Sequence, residues 1–177
     1  MSDTQKRILV LGVGNILFTD EGIGVRAVEE MERLYDFSDN VTLMDGGTLG
    51  TRLMDPILNC DFLIVIDAVL GEGPAGSIYR LTGEDLRKSL AFKDSMHQTD
   101  LVDTLIICEL VGTRPDAVII GMEPLDFHTM AIELSPAIKE QQERHIGFVL
   151  EEVVKAGGSY TKRAVPRPSE RENEPCA

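Results

Sequence analysis

Hydrophobic positions along this chain fall into two kinds of pattern that alternate. Short unbroken apolar runs occur at residues 8–11 (Ile8, Leu9, Val10, Leu11), 62–66 and 117–120. Such runs are the mark of strands covered on both faces of a parallel sheet. After the first of them, Ile23, Val28, Met31 and Leu34 recur at helical spacing, with Glu29, Glu30, Glu32 and Arg33 on the opposite side, which predicts a helix with one buried face. Residues 41–44 predict another strand, and 49–58 a short helix despite Pro56. Residues 77–81 alternate and follow a Gly/Pro loop at 71–76, as expected of an edge strand running antiparallel to its neighbour. Thr82 opens a weak helical turn with Asp85 in a box-like cap, and Leu101, Val102, Leu105, Ile106 and Leu110 supply the apolar face of a further helix. Ser135 and Pro136 start the last helix, carried by Ile138, Ile146, Val149, Leu150 and Val153 and ended by Gly157-Gly158.

The alternation, with no internal repeat, predicts an α/β fold. It is a three-layer sandwich around a mostly parallel five-stranded sheet with one antiparallel edge strand and helices on both faces. A chain of 177 residues suits one domain with a substantial core, here residues 1–158. Residues 159–177 (SYTKRAVPRPSERENEPCA) are charged and Pro-rich with little to bury, and are expected to form a disordered tail.

Charge changes the picture more than composition does. The formal net charge of −13 opposes nucleic acids and anionic membranes and suits a cationic partner, either a metal ion or a basic peptide. Solubility alone would also account for it. No apolar run approaches membrane-spanning length and the N-terminus carries no apolar leader, so a cytoplasmic monomer is expected. Cys60 and Cys108 sit among apolar neighbours as buried, reduced thiols, and Cys176 lies in the tail.

The candidate chemistry is acidic. Glu21 lies on the loop after the first strand, Asp45 opens the turn Asp45-Gly46-Gly47-Thr48, and Asp67 ends the third strand. Any one of them is explained by capping the next turn or helix. Three at the carboxyl edge of one sheet, where open α/β sheets bind ligands, point to a site. A dinucleotide fingerprint fails here: after Gly12 and Gly14 the third glycine should stand at position 17, which is Leu17, and Asp20-Glu21 would repel a pyrophosphate. Of the three histidines, His145 falls on the apolar stripe of the last helix and His128 in a loop beside Phe127. His97 lies ahead of a helix in a segment not needed for packing. Its imidazole with the Glu21 and Asp67 carboxylates would make a mixed oxygen and nitrogen set suited to a first-row divalent ion. Spacing alone leaves that set open.

Residues 8–25 (ILVLGVGNILFTDEGIGV), 44–48 (MDGGT), 63–68 (LIVIDA) and 96–98 (MHQ) occur in the order seen in one family. On these segments the chain resembles the hydrogenase maturation endopeptidases of the HybD type, which process nickel–iron hydrogenase large subunits. The likeness spans residues 7–157 in element order. It implies that Glu21, Asp67 and His97 contact nickel, and that Asp45 matches a further acid the family needs. It implies one endoproteolytic cut that frees a C-terminal peptide from a nickel-loaded large-subunit precursor. That nickel is the recognition signal, contributed by or shared with the substrate, and another divalent ion could take its place in vitro. Asp45, or Asp20 beside Glu21, would then act as general base on a water, or the metal would activate it. Two rivals differ in class. A nickel-binding assembly chaperone would use the same trio without cutting. A peptidyl-tRNA hydrolase also opens on a strand and GxGN, but would need a basic face that this chain lacks.

Overall fold

A computed structural model describes residues 5–48, 53–82, 110 and 115–168. Five strands, β1 (Ile8–Val13), β3 (Val41–Gly47), β4 (Phe62–Ala68), β6 (Asp116–Met122) and β5 (Ile78–Thr82), form one sheet in the order β3-β1-β4-β6-β5. All neighbours are parallel except β5, which runs antiparallel to β6 at the edge. This is the predicted mostly parallel sheet with its one reversed edge strand.

The unbroken apolar runs are explained by the two faces. Leu9, Leu11, Leu63, Val65 and Ile119 point to the side where helix α2 (Met54–Leu58) contributes Ile57. The intervening residues Ile8, Val10, Ile64, Ile66, Val118 and Ile120 meet helix α1 (Ile23–Leu34) through Ala27, Val28 and Met31. Helix α3 (Pro136–Lys155) completes that side with Ile146, Val149, Leu150 and Val153. Strands wet on neither face have no reason to alternate.

Two glycines set how closely α1 seats. A Cβ on Gly24 would fall 2.0 Å from the Ile66 carbonyl oxygen and 2.4 Å from that of Val13. One on Gly12 would lie 2.3 Å from the Gly24 carbonyl oxygen. Helix backbone therefore rests directly on the backbone of β1 and β4. The close approach that a dinucleotide fold obtains from its third glycine is made here by Gly24, on the helix.

Some elements differ from the sequence expectations or lie outside the described residues. The helix predicted at 49–58 is observed only over Met54–Leu58, residues 49–52 lying outside the described set. Thr82 ends β5, and the helical turn predicted from it and the helix predicted around Leu101 lie outside the described residues apart from the exposed Leu110. A short strand β2 (Tyr35–Phe37) follows α1 directly. The expected disordered tail is corrected over its first part. Tyr160–Lys162 form β7, paired antiparallel with β2, and Tyr160 meets the Tyr35 ring edge-on at 5.5 Å. The Arg163 guanidinium donates to the Tyr35 carbonyl at 3.1 and 3.2 Å and pairs with Asp36. Residues 169–177 lie outside the described set.

Among the described residues no helix is long and apolar enough to cross a membrane. Cys60 is buried, as read from its neighbours, its thiol donating to the Ile57 carbonyl oxygen at 3.2 Å, and Cys108 and Cys176 lie outside the described residues. His145 is fully buried, with Nε2 2.9 Å from the Ile120 carbonyl oxygen and Nδ1 without a partner. Burial pushes its pKa down to about 4, against the upward pull of that carbonyl. The folded chain thus resists a proton that the unfolded chain takes up near 6.5. This contribution to stability is complete above pH 6.5 and is lost as pH falls through about 4. The loss is about 3 kcal/mol at 1.36 kcal/mol per pH unit. His145→Gln is expected to flatten the curve of unfolding free energy over that window, checked by urea unfolding at half-unit pH steps.

Candidate active site

Register brings the candidate acids to one edge. Gly12 of β1 sits between Asp45 of β3 and Ile66 of β4, so Asp45 and Asp67 flank the end of β1. Glu21 reaches the same edge from a 3-10 turn, Thr19–Gly22, that leads into α1. Gly14 makes this possible. It holds φ at 139°, and a Cβ there would lie 1.9 Å from the Glu21 carbonyl oxygen. The turn therefore folds down onto the strand end with no space between them.

Asp67 is buried, 2% exposed, and its Oδ1 accepts the Ala68 N–H at 2.8 Å. Burial pushes its pKa well above the usual carboxylate range. The Ala68 N–H opposes that rise, and the nearby Glu21 carboxylate adds to it. Two carboxylates close enough to feel each other in a dry setting cannot both stay ionised without a compensating cation or proton. The structure thus brings together two members of the trio proposed from sequence. His97 lies outside the described residues, and among those described no three His, Cys, Asp or Glu side chains form a metal-holding group.

Asp45 is exposed, and its Oδ1 accepts the Gly47 N–H at 2.8 Å, shaping the glycine turn. Asp20 is different. It is fully buried, and its carboxylate accepts the N–H groups of Leu125, Asp126 and Ser135 at 3.0, 2.9 and 2.7 Å and the Ser135 hydroxyl at 2.8 Å. A carboxylate offers about four acceptor directions, so Asp20 has none left for a water. The alternative general base read from the sequence is thereby corrected: Asp20 clasps two loops.

One acid at this edge escaped the sequence reading. Glu123 follows β6 directly and is buried, its Oε2 accepting the Tyr79 hydroxyl and the Gly71 N–H, each at 2.7 Å. It fastens the loop that leaves Asp67 toward β5. An acid just past the last core strand was the available signal. A separate cleft of about 390 Å³ lies between α1, α3 and the C-terminal segment, lined by Arg26, Glu29, Arg33, Lys139 and Arg167 among others. Its cations Arg26 and Lys139 are paired with Glu29 and Glu133, and none of the acids at the sheet edge lines it.

An open α/β sheet with coupled acids at its carboxyl edge has the form of a ligand-binding α/β domain, and comparison with known proteins gives the family. The model of the hydrogenase maturation protease family matches residues 25–152. The chain belongs to that family. It is 39% identical over 165 residues to the hydrogenase 2 maturation protease of Escherichia coli, covering 91% of this chain and 96% of that protein. It is 38% identical to the hydrogenase expression/formation protein HupD of Bradyrhizobium diazoefficiens, covering 93% and 87%. Its fold matches the solved structure of the hydrogenase maturating endopeptidase HybD from Escherichia coli with a TM-score of 0.82 at 36% identity, over 91% of this chain and 98% of that one.

Proposed function

We propose that this protein is the endopeptidase that removes the C-terminal peptide of a nickel–iron hydrogenase large-subunit precursor once nickel has been inserted. The observation that supports this reading is the buried Asp67 carboxyl beside Glu21, an acid whose charged form is costly until a cation arrives. In this reading the substrate brings the nickel, held by its own cysteines. Glu21 and Asp67 offer oxygen ligands, His97 a ring nitrogen, and Asp67 releases its proton as it binds. An apo precursor brings no cation to offset the cost of ionising Asp67 beside Glu21, so it is rejected. Docking on the nickel sets the scissile peptide at the sheet edge, where the exposed Asp45 takes a proton from the attacking water. The leaving amine is then protonated as the peptide bond breaks.

The test is mass spectrometry of nickel-loaded and nickel-free precursor, each incubated with the protein. Loss of one C-terminal peptide from the loaded form only is the expected result. Binding of the loaded form with no mass change would make the protein an assembly chaperone instead.

A further inference from the structure

The loop that carries Glu21 is fastened along its length to a second loop. The Thr19 N–H donates to the Ala131 carbonyl at 2.9 Å, the Asp20 N–H to that of Asp126 at 2.9 Å, and the Thr19 hydroxyl to that of Thr129 at 2.7 Å. Phe18 bridges to Met130 and Ala131, the Asp20 carboxylate gathers Leu125, Asp126 and Ser135, and Arg26 donates to the Ile132 carbonyl at 2.9 Å. Two loops tied this thoroughly are rigid. Yet they hold apolar side chains out in water: Leu17 is 52% exposed, Leu125 58%, Met130 73% and Ile132 58%. Scattered single residues of this kind are ordinary, but several on one fixed platform mark a contact surface.

We infer that this double-loop platform beside Glu21 is the surface on which the precursor protein docks, through a face carrying apolar side chains with Lys or Arg among them. The inference rests on the proposed endopeptidase reading. Charge selects the occupant: residues 8–25 and 115–138 contain no Lys or Arg, the flanking Arg26 and Lys139 are paired with Glu29 and Glu133, and Glu21 and Asp126 lie on the two loops. A second copy of a chain with net charge −13 would bring like charge against like. A basic face meets opposite charge and covers the apolar side chains, and its position next to Glu21 delivers the substrate's metal to the acids. Rigid loops of this kind lose little entropy on docking.

The experiment compares the full-length wild type with the variant L17S/M130S/I132S. Nickel-loaded precursor serves as substrate, cleavage is read by mass spectrometry and affinity by calorimetry. Exposed side chains of this kind can be cut back with little effect on folding, which a thermal melt checks. We expect KM and Kd for the precursor to rise by about tenfold or more, as when contact anchors are truncated, with kcat within about twofold, since the platform sits outside the reacting groups. Wild-type affinity should also weaken with added salt. An unchanged KM and Kd in a variant that melts normally would overturn the inference while the cleavage reading stands. So would wild-type dimers that the substitutions dissociate, since the platform would then be a self-contact. Wild type that binds precursor through the platform but never cuts it would keep the docking surface and remove the endopeptidase.

Discussion

Asp67→Asn is expected to slow precursor processing by about a thousandfold, the scale on which removing one charge-stabilising group from a water-poor site acts, without any loss of stability. The two halves have one cause. Asp67 is buried, and its pKa is pushed up by that burial and by the Glu21 carboxylate. A group whose folded pKa is raised binds its proton better in the folded chain than in the unfolded one. Stability therefore grows as pH falls through the raised value and is given up above it. An amide at this position removes that pH-dependent cost, and its oxygen still accepts the Ala68 N–H while its nitrogen can donate to Glu21. The variant should melt at or above the wild-type temperature at pH 7, with the difference shrinking on acidification. Activity disappears because an amide nitrogen offers no lone pair to a cation. Sites that trade stability for function behave in this way. A variant that melts like wild type and still trims nickel-loaded precursor at the normal rate would remove Asp67 from the mechanism.

How far the site could be read from the chain depends on what each residue answers to. Glu21 and Asp67 were legible because each follows a buried apolar run, and Asp45 because it stands at a strand end before a glycine turn; parallel register carries such ends to a common edge. Asp20 was misread. Adjacent acids in Thr19-Asp20-Glu21 look equivalent in sequence, and which of them turns inward is decided by donors at Leu125, Asp126 and Ser135, more than a hundred positions away. Glu123 follows the same rule as Asp67 but stands three residues past Ile120, where the apolar run read from the sequence stops.

The mostly parallel sheet and its reversed edge strand were legible for a similar reason. Burial on both faces of β4 and alternation in β5 leave different marks on composition. The β2–β7 pair leaves almost none. Three residues on each side, with β7 fully exposed, carry no periodicity to detect, and they hold together through Tyr35, Phe37 and Tyr160 and the Arg163 contacts. A charged, Pro-rich composition argued for disorder over a segment whose order comes from a partner early in the chain. Composition measures what a segment can bury by itself, and here the apolar surface belongs to the other strand.

The platform under the site gives the second large effect. Gly24→Ala is expected to cost about 4 kcal/mol or more, the range reached only when a substitution breaks close packing. The added Cβ meets the Ile66 carbonyl oxygen at 2.0 Å and the Val13 backbone at 2.4 and 2.6 Å. These are backbone atoms of the two central strands, so no rotamer change relieves the overlap and α1 must lift. Lifting it strips Ala27, Val28 and Met31 from the sheet face they cover. Against a total of about 5–15 kcal/mol for a domain of this kind, most molecules should fail to fold at 37 °C. Gly147→Ala is the matched control. It is also a helical glycine, in α3, but nothing lies within 4 Å of its added Cβ, so it should gain about 0.5–1 kcal/mol from helix propensity. Urea unfolding of both variants reads the contrast directly. If Gly24→Ala proved as stable as Gly147→Ala, α1 could not be seated on β1 and β4 as described. The turn that leads into it would then be free to move, and Glu21 would have no fixed place beside Asp67.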